Sequence, residues 1–215
     1  MNENIILIHN PGFFSNDIYD YLKKRNHNLK VLTSEQELIA IMNDFSGTII
    51  INSFPDLYLK VLESADPLSV RVICCAPVGR RDTLTGGLHV VNGIFRILNN
   101  GDAEFLTEKT GTDSEFLIMK IFGKIRLTEV DSADIDLLAA ELILRPMVLS
   151  LITGRLLMEG EKSLLSEPMK EMALPVYSQD IVLARDAIRF NPFSSDCFKD
   201  IERKVKEVWN DLSNY

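Results

Sequence analysis

Residues 1 to about 129 alternate short apolar runs with amphipathic stretches, and this alternation restricts the chain to few folds. Four of the runs are rich in β-branched residues and almost continuously apolar, as strands buried on both faces of a sheet are; they span 5–8, 30–32, 48–51 and 70–75. Helical spacing in the stretches between them predicts a parallel sheet with right-handed crossovers. Further strands are predicted at 93–98 and 124–130, around a helix at 113–122.

The pattern changes after Asp131, where every segment has helical spacing and strand signals are missing from the sequence. A long helical pattern is expected to kink at Pro146. The last segment places Phe198, Ile201, Val205, Val208, Trp209 and Leu212 on one helix face. The predicted architecture is therefore α/β followed by all-α, with a Rossmann-like domain over 1–129 and a helical domain over 130–215. Because the helical half is small for a core of its own, we expect a homodimer through the C-terminal helices.

The loop after the first predicted strand decides whether the domain can still bind a dinucleotide. Such a loop normally carries three glycines as G-x-G-x-x-G, and here the matching positions are Asn10, Gly12 and Ser15. Hydroxyl side chains at Thr33 and Ser34 stand where an acidic residue would hold the ribose, and they suit a 2′-phosphate somewhat better. The pattern favours a domain that has lost its nucleotide, with NAD(P) binding as the alternative.

Charge and cysteine usage narrow the classes of partner. A net charge of −8 disfavours a nucleic-acid partner, since neutralising phosphates needs a basic face. The three cysteines form no C-x-x-C pair, which disfavours a disulfide framework and a metal site and predicts reduced, buried thiols.

The apolar stretch 141–157 is interrupted by Arg145, Pro146 and Arg155 and is not expected to span a membrane. Without a visible export signal, the predicted location is cytoplasmic.

The stretch "ARDAIRFNPFSSDCFKDI" (184–201) resembles the signature of prephenate dehydrogenases. The match needs no gap, and it sets in register Arg185, Asp186, Arg189, Phe198, Asp200 and Ile201. Residues 130–147 are similar to the family's first long helix, and "APVG" (76–79) occupies the place of its H-P-M-x-G turn. The resemblance covers nearly the whole chain, although most of its motifs are eroded.

The resemblance implies oxidative decarboxylation of prephenate to 4-hydroxyphenylpyruvate, with NAD or NADP accepting the hydride. It also implies that Arg189 grips a substrate carboxylate, which a guanidinium fork fits. The family's histidines are replaced in register by Ala76, Ile135, Leu144 and Met147. None of the three histidines in the chain stands at a family catalytic position; His9, beside the cofactor loop, is either a tolerated loop residue or a residue that faces a ligand.

Candidate site residues follow from this comparison. Arg189, Arg145 and Arg185 are predicted to bind the anionic substrate, although Arg185 also suits a structural pair with Asp186. Asp136 is the candidate proton acceptor, provided that burial poises it. Three functions stay open: a prephenate dehydrogenase-like protein with impaired or altered NAD(P) chemistry, a non-redox prephenate decarboxylase or isomerase, and a catalytically inactive homologue that senses a ligand or binds a partner. Loss of the histidines with retention of the arginine favours the last two over an active dehydrogenase.

Overall fold

A computed structural model describes residues 3–10, 17–25, 27–55, 58–77, 87–108, 111–149 and 188–213. Its seven strands form one sheet in the order β2-β1-β3-β4-β5-β6-β7. They are β1 (Asn4–His9), β2 (Asn28–Leu32), β3 (Gly47–Asn52), β4 (Val70–Cys74), β5 (His89–Ile97), β6 (Ala103–Glu108) and β7 (Arg126–Val130). Every neighbouring pair is parallel except β5 and β6. The predicted Rossmann-like α/β class is confirmed.

Helices cover both faces of this sheet. They are α1 (Asp17–Lys23), α2 (Glu35–Met42), α3 (Leu59–Glu63) and α4 (Thr112–Phe122). Since successive strand residues point to opposite faces, Ile6 and Ile8 pack with α2 and α3, whereas Ile5 and Leu7 pack with α1 and α4. The near-continuous apolar character of the early strands is a consequence of this double burial.

The strand β6 was missed by the sequence prediction, and with it the antiparallel hairpin that it forms with β5. The turn is closed by hydrogen bonds from Leu98 N to Asp102 O (2.8 Å) and from Gly101 N to Leu98 O (2.8 Å). Gly101 has a φ of 84°, a conformation that glycine adopts without strain. The signal for this turn was the asparagine-glycine pair Asn100–Gly101, which favours hairpins.

The helical part begins with α5 (Ser132–Ala139), which continues directly into a π-helical turn, Ala140–Leu144, and is α-helical again over 145–149. Pro146 explains the irregularity, because it cannot donate a backbone hydrogen bond and its ring crowds the preceding turn. The sequence predicted a kink at this proline, and the structure has a π-helical turn immediately before it. The last described helix is α6 (Ser194–Ser213). Among the described helices, none has both the length and the apolarity that crossing a bilayer requires.

The three cysteines, Cys74, Cys75 and Cys197, are buried free thiols, as predicted. Burial raises the pKa of Cys75 well above its usual value, and the neighbouring Cys74 acts in the same direction. Because the thiolate is the nucleophile, the Cys75 side chain is inert at neutral pH.

Candidate functional site

The carboxyl edge of the sheet between β1 and β3 is the point at which the strand order reverses, the usual ligand position in open α/β sheets. The two residues that end these strands, His9 and Asn52, are register partners. The Asn52 side-chain nitrogen lies 3.0 Å from His9 Nδ1, so a hydrogen bond joins the two side chains. His9 is 5% exposed, which corrects its interpretation as a loop residue: it is a buried residue of β1.

Asn10, the first of the three predicted cofactor residues, follows His9 directly. The Asn10 amide donates to the carbonyl oxygen of Asn52 at 3.2 Å, which holds the first loop position against the end of β3. Gly12 and Ser15 lie outside the described residues. Of the predicted cofactor loop, the structure thus describes only Asn10, which follows β1 where the strand order reverses.

The end of β2 is organised by a capping box. Ser34 is the N-cap of α2, and its hydroxyl donates to Glu37 Oε2 (3.2 Å) and accepts from the Glu37 amide (3.4 Å). The Thr33 amide donates to the same carboxylate oxygen at 3.2 Å. The hydroxyl of Ser34 thus starts a helix, and the group presented after β2 is the Glu37 carboxylate. The sequence marks Ser34 as a plausible helix cap, and its S-x-x-E spacing is the signal for a capping box.

A buried tyrosine stands near these carboxylates. Burial raises the pKa of Tyr58, the Ser53 hydroxyl partly opposes this shift, and the charges of Glu35 and Glu37 add to it. Tyr58 is therefore a neutral hydroxyl at physiological pH. Carboxylates at this edge suit ribose hydroxyls and repel a 2′-phosphate, so the described residues fit NAD better than NADP, opposite to the preference suggested by Thr33 and Ser34.

A buried apolar cluster brings together the positions that match the family's histidines. Ala76 (1% exposed), Ile135 (0%), Leu144 (1%) and Met147 (3%) all belong to it. Phe54, Ile94, Leu106, Ala139 and Ala140 complete the buried cluster. These residues come from the ends of β3 and β4, the middle of β5 and β6, and the helix that contains the π-helical turn. All of them are apolar, so none of these side chains can accept a proton.

Asp136 and Arg189, the predicted proton acceptor and substrate ligand, lie on two segments that pack together. Asp136 is half-buried on α5, and its carbonyl oxygen accepts a hydrogen bond from the Asn191 side chain at 2.9 Å. Asn191 also accepts from the Phe193 amide at 2.9 Å, which makes it the buried link between α5 and the start of α6. The exposed Arg189 guanidinium stands 5.8 Å from the centre of the Phe190 ring.

Arg145, the predicted second carboxylate ligand, forms an ion pair within the fold. Its Nη2 lies 3.0 Å from Asp200 Oδ2 on α6, and Arg203 Nη2 lies 2.6 Å from the other oxygen of that carboxylate. A hydrogen bond from Arg203 lowers the pKa of Asp200, and the positive charge of Arg145 acts in the same direction. The described partner of Arg145 is thus Asp200, a residue of the stretch 184–201. Arg145 was expected to bind a substrate carboxylate together with Arg189. Arg185 lies outside the described residues.

The comparisons with known proteins bear on the fold. The sequence matches no protein-family model and no curated protein. The structure is similar to prephenate dehydrogenase from A. aeolicus in complex with hydroxyphenyl propionate and NAD+, with a TM-score of 0.60 and 11% identity over 100% of this chain and 92% of that chain. A putative prephenate dehydrogenase from Corynebacterium glutamicum gives a TM-score of 0.53 at 12% identity, covering 95% of this chain and 80% of that chain. Synechocystis arogenate dehydrogenase gives 0.50 at 14%, covering 98% and 92%. The chain thus has the fold of these dehydrogenases, a Rossmann-like sheet followed by helices.

Proposed function

We propose that this chain is a prephenate dehydrogenase-like protein of tyrosine-branch or related aromatic metabolism, which binds prephenate or a similar dicarboxylate but has lost or impaired NAD(P)-dependent oxidative decarboxylation. The observation that carries the proposal is the buried apolar cluster, which occupies the positions of the family's histidines. The proposal keeps the two-domain division at 1–129 and 130–215 and a cytoplasmic location.

The chemical argument starts from the proton that the oxidation must release. Removing hydride from a carbon that bears a hydroxyl needs a group that takes the hydroxyl proton. Ile135 and Met147 cannot do this, and their burial keeps water from doing it in their place. Asp136 follows Ile135 but is about 100° further round the helix, so it belongs to a different face of α5. An inactive binding protein is therefore favoured over a dehydrogenase with a substitute base.

The binding part of the proposal rests on Arg189. Its exposed guanidinium is available to a carboxylate, and the resemblance assigns that role to this position. The structural relative from A. aeolicus was solved with hydroxyphenyl propionate, an aromatic carboxylate, which supports a ligand of that class. Arg145 supports ligand binding indirectly. Its ion pair with Asp200 holds α6 next to the helix over 145–149, and α6 follows Arg189 closely in the chain.

Calorimetric titration with prephenate, NAD and NADP tests this function. We expect saturable heat with prephenate, which Arg189→Ala weakens by about tenfold or more because a charge-assisted hydrogen bond is lost. Reduced nucleotide should not accumulate when prephenate and NAD are supplied together. If either nucleotide binds at all, NAD should bind more tightly than NADP, because of the carboxylates after β2.

The matched control is Lys199→Ala, which removes an exposed cation from α6. It should leave prephenate binding unchanged. Micromolar nucleotide binding together with turnover of prephenate would overturn the proposal and reinstate a dehydrogenase with an unusual base. Absence of prephenate binding would leave a partner-binding homologue.

The second part of the proposal is self-association, which the exposed apolar face of α6 supports. Ile201 is buried, yet the later apolar residues of the same face are exposed: Val205 62%, Val208 57%, Trp209 69% and Leu212 69%. Charged residues of both signs accompany these apolar residues along α6: Asp196, Lys199, Asp200, Glu202, Arg203, Lys204, Lys206, Glu207 and Asp211. Two copies of α6 that pack through this face would remove these apolar side chains from water, and a symmetric dimer uses the same patch on both subunits. We therefore propose a homodimer through α6.

Light scattering after size exclusion tests the dimer. The wild-type chain should elute with twice the monomer mass, and Trp209→Glu should give monomers because it buries a charge in the interface. Asn210→Glu introduces the same charge one residue further on, away from the apolar face, and should remain dimeric. Trp209 is the single tryptophan, so its emission should shift to the red when the wild type dissociates on dilution. A wild-type monomer at all concentrations would contradict this part of the proposal.

A further inference from the structure

A cavity of about 450 Å³ lies at the amino ends of β4 and β5, next to α4. It is at the opposite edge of the sheet from His9 and Asn52, which end their strands. Its volume is within the range of small-molecule sites. The cavity takes no part in the proposed function, so what it binds is a separate question.

Two of the three charged residues that line this cavity have opposite charges and no ion-pair partner among the described residues. Arg71 comes from the start of β4 and Asp113 from the first turn of α4, and both are exposed. Within the described part of the chain, neither is ion-paired or hydrogen-bonded through its side chain, and they do not pair with each other. A guanidinium and a carboxylate that share a cavity without neutralising each other are suited to a ligand that carries both charges.

The other polar groups of the cavity are already bonded. The Lys120 ammonium lies 2.6 Å from Glu3 Oε1, which offsets its charge. His89 Nε2 lies 2.9 Å from the Ser114 hydroxyl, which fixes the ring against α4. Arg71 and Asp113 are therefore the charges with free hydrogen-bonding capacity for a ligand.

Large apolar side chains stand at the mouth of the cavity. Leu68 is 93% exposed and Phe116 is 70% exposed, both unusually high for side chains of this size. Covering them with an apolar group would remove their surface from water, which is favourable in proportion to the area buried. The lining thus combines a cation and an anion that are not ion-paired to any described residue, Arg71 and Asp113, with the ion-paired Lys120 and an apolar wall.

We propose that this cavity binds a free α-amino acid with an apolar side chain. The α-carboxylate accepts from the Arg71 guanidinium, whose two donors match a carboxylate. The α-ammonium donates to the Asp113 carboxylate, and the side chain lies against Leu68 and Phe116. A dicarboxylate is disfavoured because Asp113 repels its second charge, which separates this site from the one proposed for prephenate.

Calorimetry on the full chain, with L-leucine and L-phenylalanine as probes, tests the site. We expect saturable binding at millimolar concentrations or below, weakened about tenfold or more by Arg71→Gln and by Asp113→Asn, each of which removes one charge-assisted contact. Both residues are exposed, so the variants should fold like the wild type, which circular dichroism checks. N-acetyl-L-leucine, which lacks the ammonium, should bind as weakly to the wild type as leucine binds to Asp113→Asn.

Lys24→Gln is the control, because it removes an exposed cation at the end of α1 without touching the cavity. It should bind both amino acids like the wild type. The proposal is wrong if neither amino acid gives saturable heat, if binding survives both Arg71→Gln and Asp113→Asn, or if N-acetyl-L-leucine binds the wild type as tightly as leucine. Prephenate binding should be unchanged in both cavity variants, so failure here is distinct from failure of the proposed function.

Discussion

Replacing Ile135 with alanine should lower the free energy of unfolding by about 2–5 kcal/mol, the usual cost of removing a fully buried large aliphatic side chain. Ile135 is 0% exposed and packs with residues from the sheet as well as from its own helix. The neighbouring backbone is tied down by hydrogen bonds, so the cavity left by the side chain cannot close completely. Urea denaturation at neutral pH measures the loss, provided that the slope of the transition is unchanged.

Leu137→Ala is the matched control, two residues further along α5. Leu137 is 39% exposed, so its truncation should cost less than about 1 kcal/mol. Equal losses at the two positions would contradict a closed apolar core around Ile135. The proposal for a protein without the family's base would then lose its main support, since an open pocket at Ile135 could admit a substrate and water.

Replacing Glu104 with glutamine should lower the free energy of unfolding by about 1–3 kcal/mol at neutral pH. Glu104 is 4% exposed; its Oε2 lies 2.6 Å from Arg96 Nη2, and its Oε1 accepts from the Thr128 hydroxyl at 2.9 Å. The glutamine removes the charge that offsets the Arg96 guanidinium. The expected loss is kept moderate because Arg96 is 39% exposed and water solvates it in the variant.

Glu104→Gln should also remove the pH dependence that the Glu104 carboxylate gives to the free energy of unfolding. Burial by itself raises the pKa of Glu104, but hydrogen bonds from Arg96 and Thr128 and the charges of Arg96 and Arg126 outweigh it, so the pKa lies below the usual 4.5. A carboxyl group with a lowered pKa in the folded state stabilises the protein fully above its unfolded pKa and loses that effect as pH falls through the folded value. The difference between wild type and Glu104→Gln should therefore shrink as the pH falls below about 4.5.

Urea denaturation of both proteins across this pH range measures how the difference in their free energies of unfolding changes. Glu129→Gln, at an exposed position of the adjacent strand β7, is the control and should differ little from wild type at any pH. A wild-type advantage that persists undiminished in acid would mean that Glu104 acts through packing and not through its charge.

The strands that could be predicted from the sequence are those buried on both faces. Residues 5–8 and 48–51 lack polar side chains apart from Thr48, so their apolar runs stand out in the sequence. β6 carries Glu104 and Thr107 in a buried strand, which breaks the apolar run. The partners that make those polar residues tolerable, Arg96, Thr128 and the carbonyl of Asn92, lie on neighbouring strands. A prediction based on local hydrophobicity cannot include such cross-strand pairs.

In the candidate site, too, the sequence identifies individual residues, whereas only the fold shows which of them are in contact. Alignment to the family identified Ala76, Ile135, Leu144 and Met147 as replaced histidines, but only the packing shows that they meet each other and Phe54. The sequence suggested a ligand for Arg145, whereas its partner Asp200 lies 55 positions away and reaches it through the docking of α6. Asn191, with its bond to Asp136, had no motif to mark it.

The π-helical turn at Ala140–Leu144 determines in which direction around the helix axis each side chain of residues 145–149 points. Each residue of an α-helix turns the chain by about 100°, so deleting one residue from this turn would swing 145–149 through that angle. Met147 would leave the apolar cluster and Arg145 would turn away from Asp200, although no residue after the turn had changed. A single-residue length change at this turn thus switches which side chains face the sheet, and a relative with a regular helix here would present a different set of side chains to its cleft.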